Sequence, residues 1–150
     1  ARNLFGARVN FQEILKKAID GRKLIWAFGY VVRTKTGEEK NFFEALTSLG
    51  IETRVRDLQE FYDGQKKADW DVGIVIDAVR TAGNVDVIVL CSGDGDFVPL
   101  VDYLKAQGKR VEVLAFERTT SSKLKETADE FFDIGKDSAK RFLIKSPKSK

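Results

Sequence analysis

Apolar and polar positions fall into blocks along this chain, and each block reads as one element. Val85-Asp86-Val87-Ile88-Val89-Leu90-Cys91 is the most continuous apolar run, the pattern of a strand buried on both faces. Ser92-Gly93-Asp94-Gly95-Asp96-Phe97 follows as a sharp glycine-containing turn. Val98-Pro99-Leu100-Val101-Asp102-Tyr103-Leu104 then takes helical apolar spacing. Before this unit, Phe11, Ile14, Leu15, Ala18 and Ile19 share a helical face, Asn10 with Glu13 resembles a capping box, and Gly21 ends the helix. Residues 24–32 are almost wholly apolar and rich in β-formers, which predicts a strand buried on both faces with Trp26 in the core. Phe42, Phe43, Leu46 and Leu49 stripe a helix over 37–49 that Gly50 caps. Ile51, Thr53 and Val55 alternate with Glu52, Arg54 and Arg56, which predicts a strand with an exposed face or edge. Residues 58–67 read as a long loop. Asp69-Trp70-Asp71 opens a strongly apolar helix that Gly83-Asn84 closes. After Gly108 come a strand over 110–116, a helix capped within 119–122 and running through Ala128, and a short strand over 131–134.

Regular alternation of helices and strands predicts an α/β fold: a Rossmann-like, mainly parallel sheet with helices on both faces. The order starts on a loop-like 1–4 and a helix. The first strand of a doubly wound sheet is normally central, so an apolar strand is expected immediately before Ala1. Residues 1–135 form the expected domain. Residues 136–150 hold six basic residues against one acid, Asp137, and read as a basic, flexible tail.

Composition narrows the chemistry. Histidine is absent from the 150 residues, which excludes Ser-His-Asp and Cys-His catalysis and His-based zinc sites. Cys91 is the single cysteine, so no internal disulfide forms, and its place in an apolar run predicts a small buried hydrophobe. The run lengths do not reach a membrane span and the opening residues lack a signal-peptide pattern, which suits a cytoplasmic protein. No phosphate-cradling GxxxxGK[ST] and no post-strand GxGxxG is present. Carboxylates remain. Asp94 and Asp96 lie just beyond a strand's carboxyl end, where α/β sheets place ligands. Their spacing suits a hard-cation site or an aspartate cap for the next helix equally well. Asp69 and Asp71 suit the first turn of a helix through its dipole. Asp77, within an apolar helix, must be paired, hydrogen-bonded or turned to a polar cleft.

Asn3-Leu4, residues 67–72 (KADWDV) continuing to Ile76-Asp77-Ala78, residues 92–97 (SGDGDF), residues 108–113 (GKRVEV) and residues 128–131 (ADEF) together resemble the NYN domains. These are a branch of the PIN-like nuclease superfamily, and the LabA-like group is the nearest in pattern. The resemblance covers residues 3–134. It implies a PIN-like fold and a Mg²⁺- or Mn²⁺-dependent ribonuclease with an acidic cleft. Carried over by position, Asp71, Asp94 and Asp96 are the catalytic and metal-holding carboxylates. Asn3 lines the cleft, Asp77 matches a recurrent helix acid, and Ser92 orients the cluster. The family's first-strand Asp falls just before Ala1. RNA is the implied partner, with Lys67, Lys109 and Arg110 expected along its backbone, Phe61 or Tyr62 stacking on a base, and a homo-oligomer compatible with the pattern. A non-catalytic RNA-binding or regulatory module of the same fold is the alternative.

Overall fold

The strand expected at 110–116 is the centre of the best-buried sheet. The computed structural model describes residues 7–33, 40–57, 59–60, 66–67, 71–135 and 143–145. The chain divides into two units, residues 1–22 with 77–150 and residues 23–76.

In the first unit, β6 (Val87–Leu90), β7 (Arg110–Ala115) and β8 (Glu130–Asp133) form a wholly parallel sheet in that order. Val87 stands opposite Arg110, and Leu90 opposite Val113. Every β7 residue from Val111 to Ala115 is buried, as a central strand covered on both faces requires. Side chains alternate along it. Leu114 packs with Ile14 of α1 (Phe11–Ile19) and with Ile134, ringed by Ala18, Val89, Phe116 and Phe132. Val111 and Val113 belong to the opposite face, where α4 (Val98–Ala106) packs on β7 and α5 (Ser122–Thr127) packs on α4. Leu104, Leu124 and Val101 are fully buried there, each contributing roughly 1.5–3 kcal/mol of apolar burial. Asn10 caps α1 by accepting from the Glu13 N–H at 3.3 Å.

Glu112 is the exception in this alternation, a buried acid on the α1 side of β7. Arg22, just past α1, grips both its oxygens at 2.9 and 3.0 Å. The same guanidinium donates to the Ile19 and Ala18 carbonyls that α1 leaves open at its end. Arg110 adds a third bond to Glu112 at 2.9 Å and reaches Glu130 at 2.9 Å. Bonding to Arg22, reinforced by Arg110, pulls the Glu112 carboxyl down to about 2 from its ordinary value.

In the second unit, β2 (Phe28–Arg33) and β3 (Glu52–Asp57) pair in parallel, joined through α2 (Lys40–Ser48). Among the described residues, Val31, Leu46 and Ile51 are its buried side chains. Leu24, Ile25 and Trp26 precede β2 without joining it and are exposed, so Trp26 is not a core residue. β4 (Gln59–Glu60) and β5 (Lys66–Lys67) pair antiparallel within the expected loop. α3 (Asp71–Thr81) begins in this unit and ends in the first.

One pairing has no counterpart in the sequence reading. β1 (Ala7–Val9) pairs antiparallel with β9 (Leu143–Lys145), which lies within the basic C-terminal segment. The architecture is α/β, with parallel strands flanked by helices, as expected.

Candidate metal centre

β6 ends at Leu90, and the chain turns through Cys91–Asp94 into a turn of 3₁₀ helix at Gly95–Phe97 that leads directly into α4. Phe97, 1% exposed, anchors this turn in the core, while Asp94 and Asp96 stay exposed. The Asp94 N–H donates to Ser92 Oγ at 3.2 Å, and the Asp96 N–H donates to Asp94 Oδ1 at 2.9 Å. Asp94 therefore caps the 3₁₀ turn through one oxygen. Its second oxygen has no recorded partner among the described residues. The two readings that the spacing left open are compatible: a cap through Oδ1 keeps the carboxylate at the strand's carboxyl end with Oδ2 available.

The segment after β7 closes on this turn. The Ser121 N–H donates to the Gly93 carbonyl at 2.9 Å. A Cβ on Gly93 would meet Thr120 Oγ1 at 2.6 Å and Thr120 Cα at 2.9 Å, and one on Gly95 would meet Ser121 Oγ at 2.9 Å. Thr120 is buried and donates its hydroxyl to the Phe116 carbonyl at 2.6 Å. Ser121 caps α5 by accepting from the Leu124 N–H. The sequence predicts only a helix start at 119–122. The run of four hydroxyl residues, Thr119-Thr120-Ser121-Ser122, after an apolar strand serves both roles, and helix capping alone accounts for it in the sequence. Gly93→Ala is expected to cost roughly 1–3 kcal/mol, because a backbone atom has to move. Gly95→Ala, which meets the end of a serine side chain, should cost less. Thermal unfolding of both variants checks this order, and equal midpoints would refute the brace.

The remaining expected site residues lie as follows. Asp71 is the first residue of α3, half-buried, in the unit of residues 23–76. Asp77 is the buried residue of that helix, with Arg80 3.7 Å away, while Val72, Ile76 and Val79 are exposed. The apolar pattern of α3 thus does not mark its buried side. Cys91 follows β6 and is exposed, against the expected buried hydrophobe. Asn3, Phe61 and Tyr62 lie outside the described residues. Lys67 contributes backbone to β5. Lys109 and Arg110 stand at the amino end of β7, and Arg110 is held by Glu112 and Glu130. β6 and β7 run parallel, so the register separates Arg110 from the strand end bearing the acidic turn by about 10 Å.

Asp94 and Asp96 offer hard oxygen donors, exposed at a turn and without histidine competition. That donor set fits Mg²⁺ or Mn²⁺ and does not fit a zinc site. Among the described residues no helix is long and apolar enough to cross a membrane.

A family model for the NYN domain matches residues 1–135. The chain is 31% identical over 118 residues to the Low amplitude and bright protein LabA of Synechococcus elongatus. That alignment takes in 75% of this chain and 63% of the relative, so the chain spans less than two thirds of LabA. Among solved structures, a protein of unknown function, VPA0982 from Vibrio parahaemolyticus, matches with a TM-score of 0.84 at 31% identity. The match covers 95% of this chain and 86% of the other.

Proposed function

Because this chain belongs to the NYN domain family, we propose that it is a metal-dependent ribonuclease that hydrolyses RNA phosphodiester bonds. The observation that carries the reading is the acidic turn: two exposed aspartates held at the carboxyl end of a parallel strand by Ser92 and by a brace from the next crossover. In this reading Asp94 and Asp96 hold a divalent ion, and the family resemblance adds Asp71 as a third carboxylate. Grouped carboxylates repel one another and are costly without a cation.

Held by these acids, Mg²⁺ or Mn²⁺ would supply the positive charge that offsets them and the scissile phosphate. The chain's own residues do the positioning. Ser92 Oγ accepts from the Asp94 N–H and sets the turn; Asp94 Oδ1 accepts from the Asp96 N–H and fixes the spacing of the two acids. With no histidine in the chain, the groups of the acidic turn available to orient an attacking water are carboxylates. The lone cysteine and the RNA substrate suit a cytoplasmic site of action.

Incubated with single-stranded RNA, the protein should produce fragments in Mg²⁺ or Mn²⁺ and none in excess EDTA. RNA that is bound but left intact with either ion would overturn the hydrolase reading and leave a binding module of the same fold.

A further inference from the structure

Several cations in the unit of residues 1–22 with 77–150 are held by acids. Arg110 is neutralised by Glu112 and Glu130, each at 2.9 Å, Lys105 by Asp129 at 3.8 Å, and Lys125 by Glu117 at 3.7 Å. Arg118 and Lys123 differ. Both are exposed, and among the described residues neither has a recorded acidic partner. Arg118 lies in the 3₁₀ turn Glu117–Thr119 and Lys123 in the first turn of α5. Between them run Thr119, Thr120, Ser121 and Ser122; Thr119, Thr120 and Ser121 lie against Gly93 and Gly95, and the Ser121 N–H donates to the Gly93 carbonyl. Lys16, Lys17 and Lys109 also have no acidic partner among the described residues, but only Arg118 and Lys123 flank the brace along the chain, on backbone fixed to the turn.

We propose that Arg118 and Lys123 grip the phosphate backbone of the RNA strand beside Asp94 and Asp96. The proposal rests on the ribonuclease reading and names its substrate contact. A strand entering an acidic site meets repulsion, and fixed cations next to the acids offset it and set which phosphate faces them. Arg118 can hold a phosphate with two parallel N–H bonds, whereas Lys123 acts as a point charge. Both residues are exposed, so their removal leaves the core untouched.

The test measures binding of a fluorescein-labelled single-stranded RNA by anisotropy across a salt series, with Ca²⁺ present to occupy the acidic site. Each phosphate contact on a single strand contributes a slope of about −0.7 in log K against log salt. The Arg118→Ala, Lys123→Ala double variant should lose about 1.4 of that slope and bind roughly 25-fold more weakly at 0.1 M salt. Its Mn²⁺ affinity, measured with the metal alone, should match that of the unaltered chain. Lys16→Ala, an exposed cation on α1, should keep the full slope. An unchanged slope in the double variant, while the unaltered chain still binds and cleaves RNA, overturns this proposal alone. An equal loss in Lys16→Ala overturns it too. No RNA binding by the unaltered chain overturns both this proposal and the ribonuclease reading.

Discussion

Replacing Asp94 and Asp96 together with asparagine should lower RNA cleavage by about 10³-fold or more. Several kcal/mol of transition-state charge stabilisation go with the bound cation, and each 1.36 kcal/mol is tenfold in rate. The change is isosteric. Asparagine keeps an Oδ1 that can accept from the residue 96 N–H, so the cap at 2.9 Å survives. Phe97 stays buried and the Ser121 bond to Gly93 is untouched. The variant should therefore fold at least as well as the parent in EDTA, since two exposed like charges are gone. Added Mn²⁺ should raise the unfolding midpoint of the parent, because binding to the folded state stabilises it, and should leave that of the variant unmoved. Gel assays and thermal scans read the two effects separately. Retained cleavage, or a midpoint that still rises with Mn²⁺, would remove these two acids from the centre.

Arg22→Ala should destabilise the first unit by about 3 kcal/mol, because it strips the main partner from a buried carboxylate. In a chain of this size that corresponds to a midpoint lowered by roughly 6–12 °C. The loss should exceed that of any exposed ion pair such as Arg54 with Glu52 at 3.5 Å. The pH dependence follows from the same bonds. The Glu112 carboxyl ionises at about 2 when folded, below its ordinary value near 4.5. A lowered folded value means that the unfolded chain binds the proton first. The stabilisation is complete above the unfolded value and drains away as pH falls from about 5 toward 2. Glu112→Gln should flatten the parent's fall in midpoint across that window, and an unchanged slope would show that the Arg22 bond carries no net stability.

Much of the α/β order is legible because local signals agree. Asn10 does cap the first helix, the run before Ser92 holds a parallel strand, though only its Leu90 is buried, and Gly108 with φ near +82° ends α4. What escaped the sequence depends on partners distant along the chain. Residues 24–26 are as apolar as a core strand, yet they have no strand to pair with until Phe28 meets Glu52. The pairing of residues 7–9 with 143–145 joins two short, weakly patterned stretches, which no local period announces. Glu112 interrupts an apolar strand, but nothing near it names Arg22, ninety positions earlier. At the candidate site, the acidic turn was legible from its glycines and its place after a strand. The brace at 119–121 was not, because its helix-capping role accounts for the same hydroxyls.

The Arg22–Glu112 link also sets a constraint on the ribosome. The unit it completes is made of residues 1–22 and 77–150, with residues 23–76 between. The helix that Arg22 ends is therefore synthesised well before the strand it must embrace. At about 5–20 residues per second, the ninety residues separating the partners take roughly 5–18 seconds to be translated. Throughout that interval the nascent amphipathic segment lacks the strand it packs on, and chaperone capture or aggregation competes with folding until β7 emerges.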